Sequence, residues 1–207
     1  MSNQAANGTV AQRIAAFTAA LRFEDVPAAV VESVRMRITD TLGIAKAATT
    51  VDHLRPVWEL VLSGGGAQEA STLLADARIP AANAAFVGGL LSHALDYDDT
   101  HLPSILHPSA ILVPAALAAA ELAGATGAET ITALAAGYEI LVRLGMAAYD
   151  PVIKNSVYFE KGLHATSICG TVAAAAVASR LLGGSAKQIA DAMGVAGSMG
   201  AGLLEAN

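Results

Sequence analysis

Along most of this chain apolar side chains recur at every third or fourth position, and the breaks between runs fall on helix-boundary signals. That pattern commits the chain to helix almost throughout. Asp25, Val26 and Pro27 open the clearest run, with acid at the positive helix end and proline in the first turn. Its apolar positions Val30, Val34, Ile38 and Leu42 share one helix face, which is expected to be core. Residues 9–21 read as a short amphipathic helix, 52–62 as another ended by Gly64, Gly65 and Gly66, and 70–75 as strand or coil. Pro80 opens a helix leading into an acidic loop, Pro108 opens 109–123, and Thr126 with Glu129 forms a capping box for 130–147. A long helix is expected over 161–182, ended by Gly183 and Gly184. Ser185 with Gln188 caps a last one running to about 204.

Alanine and glycine dominate the later helices, as in GTVAAAAVASRLLGG and GVAGSMGAGLL. Small side chains let helix backbones approach closely, so the expectation is an all-α fold, a compact multi-helix bundle forming a single domain over 1–207. Glycines in GSMGAG do not make a phosphate loop, because the lysine and hydroxyl residue of that motif are missing and no strand precedes it.

Charge and hydropathy narrow the function classes. A formal charge of -6 over 207 residues leaves no basic face for a phosphate backbone, so a nucleic-acid partner is not expected. Uncharged stretches at 101–120 and 162–179 approach bilayer-spanning length, but they hold His101, Pro103, His107 and Pro108 or His164, Thr166, Ser167 and Thr171. They read as buried helices, with no membrane partner. The N-terminus lacks a basic region followed by an apolar run and a cleavage site, and the single Cys169 allows no internal disulfide. A cytoplasmic location is the default expectation.

Against this bland background, residues 93–108, HALDYDDTHLPSILHP, gather three aspartates, three histidines, a threonine and a tyrosine. So much titratable side chain in one place, broken by Pro103 and Pro108 and mounted between apolar helices, marks a loop-borne site.

The run SHALDYDDTHLPSILHPSAILVPAALAAAE, then GYEILVRLG, KGLHATSICGTVAAAAVASRLLG and AMGVAGSMGAGLLE, resembles the MmgE/PrpD family. That family includes 2-methylcitrate dehydratase, cis-aconitate decarboxylase and iminodisuccinate epimerase. The resemblance implies that Asp96, Thr100, His107 and His164 match positions lining the family's active site, and that Asp98 and Asp99 lie in the same motif. It implies a homodimer through the helical domain, and a continuation beyond Asn207 into a lysine-bearing basic segment and an α+β lid. The chain is thus expected to be the N-terminal helical portion of a longer or split enzyme, with little activity alone.

The leading functional expectation is a 2-methylcitrate dehydratase-like hydro-lyase acting on a di- or tricarboxylate, with decarboxylation or epimerisation as alternatives and a non-catalytic oligomerisation module as a second class. Dehydration needs a base for a carbon-bound proton and an acid for the departing hydroxide, and histidine near a carboxylate suits either role. Asp96, His107 and His164 are the candidate catalytic residues; Thr100, Asp98 and Asp99 are the candidate substrate-binding ones, one aspartate orienting a histidine while another is structural. His93 and His101 read as loop or packing histidines, Cys169 as buried, and Glu139 with Arg143 as an ordinary helix-face ion pair. Aspartates 96, 98 and 99 with nearby histidines suggest Mg²⁺ or Mn²⁺ as a competitor, but Leu102 stands where aspartate-rich all-α isoprenoid enzymes carry a third aspartate. The expectation is a metal-free and cofactor-free site.

Overall fold

A computed structural model describes residues 8–74 and 76–204. Its helices are α1 (Val10–Ala20), α2 (Ala28–Ala48), α3 (Arg55–Ser63), α4 (Ala81–His93), α5 (Pro108–Ala123), α6 (Gly127–Met146), α7 (Val157–Glu160), α8 (Ala165–Leu181) and α9 (Ala186–Gly197). Two antiparallel hairpins, β1 (Ala70–Ser71) with β2 (Arg78–Ile79) and β3 (Tyr149–Asp150) with β4 (Asn155–Ser156), are the sheet among these residues. The all-α expectation holds. Among the described residues no helix is long and apolar enough to cross a membrane.

The capping boxes of Thr126 with Glu129 and Ser185 with Gln188 form as read, and the structure adds a third, Thr9 with Gln12; each satisfies exposed helix-end donors reciprocally. Their positions set where α1, α6 and α9 begin. Helix α6 starts at Gly127, three residues earlier than the reading, because the helix begins beside its cap.

Helices α5, α6 and α8 meet at the centre through small residues. A Cβ on Gly137 would stand 2.5 Å from Val177 Cγ2 and 3.3 Å from Leu112 Cδ2, and one on Gly170 would strike Ile111. Glycine is therefore what lets α6 and α8 approach each other and α5. Leu112, Val113, Leu134, Leu141, Ala173 and Val177 are fully buried there.

Four expectations shift. On α2 the buried face is Val34, Thr41, Ala45 and Ala48, while Val30 is 39% exposed, because the helix packs by a stripe that drifts around its axis rather than by a strict fourfold repeat. The 52–62 helix divides into a 3₁₀ turn, Asp52–Leu54, and α3, with Pro56 in the first turn of α3. The 161–182 helix begins only at Ala165, preceded by α7 and a turn in which Gly162 takes a positive φ. The last helix ends at Gly197, and the chain then folds back so that Leu203 bridges Leu163 and the His164 N–H donates to the Gly202 carbonyl. Gly202 permits that return: a Cβ there would stand 2.9 Å from His164 Cβ. Within 70–75, Ala70 and Ser71 are strand, and Ala75 lies outside the described residues.

Candidate active site

Three helix ends converge. His93 is the last residue of α4, His107 precedes α5 and His164 precedes α8. The His107 backbone N–H donates to Thr166 Oγ1 at 3.1 Å, locking the starts of α5 and α8 together. The His93 ring centroid lies 5.0 Å from that of His107 and 6.1 Å from that of His164. One small ligand can reach all three imidazoles.

The loop after α4 wraps this cluster. Asp96 holds a left-handed φ of 50°, which turns the chain so that the next carboxylate points inward. That carboxylate is Asp98, whose side chain is 1% exposed. Its oxygens lie 3.0 and 3.2 Å from His93 Nδ1, and one of them lies 3.5 Å from His107 Nδ1. Asp96 itself is exposed, 4.0 Å from His107 Nε2. Thr100 is exposed with Oγ1 3.5 Å from His107 Nδ1. At the far end of the loop His101 and Leu106 pair through their backbones, and Ile105 takes a φ of 52° that a β-branched residue adopts only under constraint.

Asp99 faces the other way. It accepts from the Ser109 backbone N–H at 2.9 Å and from Ser109 Oγ at 2.7 Å, and it pairs with Arg37 of α2. Ser109 Oγ also meets the Tyr138 hydroxyl at 2.6 Å, and the Arg37 guanidinium lies over the Tyr138 ring. This aspartate caps α5 and ties the loop to α2 and α6.

Electrostatics separate the histidines. The hydrogen bond that His93 donates to the Asp98 carboxylate raises the His93 pKa above its ordinary value despite partial burial, with the Asp98 and Asp96 charges adding to it. His93 also sits at the negative end of α4, which favours the imidazolium. For His164 burial lowers the pKa, and the neighbouring His93 and His107 lower it further. It stands at the positive end of α8, which disfavours its protonation. Its Nδ1 lies 2.6 Å from Ser167 Oγ, so Nε2 is the nitrogen left for a ligand.

Beside the cluster is a cavity of about 390 Å³ whose walls include Phe86, Leu90 and Ile111 as well as His93, His164 and Thr166. His93, Asp96, Asp98 and His107 each bring one ligand atom within 4.8 Å of the others, a spacing that fits a divalent metal as well as a proton-transfer cluster. Two imidazoles and two carboxylates suit a borderline transition cation better than the Mg²⁺ or Mn²⁺ raised by the aspartates alone.

Of the residues expected to act, Asp96, His107 and His164 are brought to one place and Thr100 stands at its edge. Asp98 and Asp99 are engaged with protein partners rather than turned toward a ligand. His93, read as a packing histidine, lies at the centre of the cluster; its place at a helix C-terminus just before three aspartates was the available signal. Arg37 gave none, lying 62 residues from Asp99. Cys169 is buried, with its thiol pKa pushed up by burial, and Arg143 bonds Glu139 across one helix turn as expected.

A histidine–aspartate cluster on helix ends beside an open, mostly apolar cavity is an arrangement able to hold and move protons at a small ligand. The chain belongs to the MmgE/PrpD family: the profile of the MmgE/PrpD N-terminal domain matches residues 12–207. It is 31% identical to cis-aconitate decarboxylase of Homo sapiens over 81% of this chain and 34% of that protein. It is 25% identical to cis-aconitate decarboxylase of Aspergillus terreus over 97% of this chain and 41% of that protein. A cis-aconitate decarboxylase-like protein of Aspergillus oryzae is 26% identical over 96% of this chain and 42% of its own length. The chain thus spans well under half the length of these relatives.

Proposed function

We propose that the protein carrying this chain is a lyase acting on a small di- or tricarboxylate through metal-independent acid/base chemistry at the His93–His107–His164 cluster, with decarboxylation of a cis-aconitate-like substrate as the leading reaction. The observation that carries this reading is the convergence of three imidazoles on helix ends, the His93 ring centroid 5.0 Å from that of His107 and 6.1 Å from that of His164, with the Asp98 carboxylate on His93 Nδ1. The names of the relatives support the choice of decarboxylation. In that reaction the bond from a carboxylate to carbon breaks, carbon dioxide leaves, and the electron pair left on carbon takes a proton from a histidine. His107 and His164 are the proposed proton-transfer residues, Asp96 acts beside His107 Nε2, and Thr100 borders the bound substrate. Asp98 orients imidazoles and Asp99 holds the loop.

Dehydration of the 2-methylcitrate dehydratase type is the second reading. It needs a base as well as an acid, and the neutral tendency of His164 beside a proton-holding His93 favours keeping it. A homodimer through the helical faces remains part of the proposal, with Val10 and Phe17 of α1 offering exposed apolar surface.

The test is turnover by the whole protein on cis-aconitate, followed as carbon dioxide release, and on 2-methylcitrate, followed as alkene formation, with iminodisuccinate racemisation as the third assay. Turnover on none of the three sinks the reading.

A further inference from the structure

Four side chains that carry lone pairs are gathered from three places: His93 ends α4, Asp96 and Asp98 lie in the loop, and His107 precedes α5. One nitrogen or oxygen from each lies within 4.8 Å of the other three. Around a tetrahedral Zn²⁺, with bonds of about 2.0–2.2 Å, neighbouring ligand atoms stand roughly 3.3 Å apart. Asp98 already holds that spacing to both imidazoles, 3.0 Å from His93 Nδ1 and 3.5 Å from His107 Nδ1. Asp96 is 81% exposed, so its side chain is free to swing the remaining distance.

Charge and donor type agree with the spacing. Two carboxylates and two neutral imidazoles around a divalent ion make a neutral group, which suits a site where the Asp98 side chain is only 1% exposed. The guanidinium attached to this loop, that of Arg37, is paired with Asp99 and not with Asp98. Imidazole nitrogen with carboxylate oxygen is the donor set of zinc and its transition-series neighbours, whereas Mg²⁺ and Ca²⁺ take oxygen almost alone. His164 stands outside the four, with its Nδ1 on Ser167.

We propose that His93, Asp96, Asp98 and His107 form a binding site for a divalent transition cation of the Zn²⁺ class, and that the ion acts there as an inhibitor. An imidazole with one nitrogen on a metal keeps a proton on the other and no longer accepts one, so His107 stops cycling a proton while the ion is bound. Asp96, with an oxygen on the ion, is turned away from that exchange as well. The inhibition rests on the lyase reading, in which these residues move protons; the binding does not.

The experiment has two arms. In the first, protein labelled with ¹³C at histidine Cε1 is titrated with Zn²⁺. The His93 and His107 resonances should move together, while that of His53, exposed in the turn before α3, should stay. Co²⁺ should give the visible absorption of nitrogen- and oxygen-ligated cobalt, bleached by Zn²⁺ and untouched by Mg²⁺. His93→Gln and His107→Gln should each weaken Zn²⁺ binding by more than the roughly 10- to 100-fold that loss of an outer-shell partner costs. His101→Gln, outside the four, should leave it unaltered. Zn²⁺ that leaves both resonances unmoved overturns the proposal, and because these are read on unaltered protein a misfolded variant does not obscure the answer. In the second arm, turnover by the whole protein on whichever of cis-aconitate, 2-methylcitrate and iminodisuccinate it accepts is followed at free Zn²⁺ set by a metal-ion buffer, since the substrates themselves bind the cation. Turnover should fall as free Zn²⁺ rises and recover with a chelator; turnover unchanged or raised at saturation overturns the inhibitory role. Turnover on none of the three ends the lyase reading and the inhibition with it, while the metal site stands or falls on the resonances.

Discussion

The Asp98 carboxylate lies 3.0 Å from His93 Nδ1 with only 1% of its side chain exposed, so a charge that would be costly to bury alone is held by an imidazole at the end of α4. The same oxygen lies 3.5 Å from His107 Nδ1. One carboxylate thus serves two histidines. His164 sees no such partner and is pushed toward neutrality.

Proton occupancy should divide accordingly. Histidine Cε1 titration is expected to give His93 an apparent pKa above 6.5 and His164 one below it. The linkage signs are opposite. The raised pKa of His93 contributes stability that is fully present below 6.5 and lost as pH rises through its folded value. For His164, whose folded pKa is lowered, the contribution is present above 6.5 and lost as pH falls through its folded value. Two indistinguishable titrations near the ordinary value would contradict this division.

Loss of a proton-transfer group should be severe in the whole protein. His107→Gln and His164→Gln are each expected to lower turnover by roughly 10²–10⁴-fold, whereas His101→Gln, whose Nδ1 is engaged with Ser104, should leave it near normal. Near-normal turnover in both of the first two, with the fold intact by circular dichroism, would remove them from the chemistry.

Asp99 should matter for the scaffold before it matters for binding. Asp99→Ala removes the acceptor of the Ser109 backbone N–H at the start of α5 and is expected to cost about 1–2 kcal/mol, read as a lower urea midpoint at unchanged slope. Arg37→Ala should cost less, because 42% of the Arg37 side chain is exposed and its pair is partly screened. If the midpoint of Asp99→Ala matched that of the unaltered chain, the capping role would be wrong.

The approach of α6 to α8 predicts a packing penalty. Gly137→Ala places a methyl 2.5 Å from Val177 Cγ2 in the fully buried centre and should destabilise by about 1–3 kcal/mol. Gly127→Ala, where nothing stands within 4 Å of the new Cβ, is the matched control. Thermal denaturation that shifts equally in both would show that backbone propensity, rather than overpacking, governs the effect.

Local chemistry was legible in the sequence by itself. Thr9, Thr126 and Ser185 sit beside the side chains and backbone they cap, so short-range hydrogen bonding determines α1, α6 and α9 without reference to the rest of the fold. The concentration of acids and histidines at 93–108 likewise marked the loop that carries the cluster. Tertiary structure decided what each of those residues does. Asp98 and Asp99 are adjacent in the chain, yet one is buried against His93 and the other is bound to Arg37 and Ser109, because neighbouring side chains on a sharply turned loop project to opposite sides. His164 meets His93 only because α4 ends where α8 begins, a juxtaposition set by packing among helices rather than by any residue spacing. The division of proton affinity among the imidazoles follows from that packing: burial, shared carboxylate and helix ends act over a few ångströms of space, a distance that sequence separation does not report.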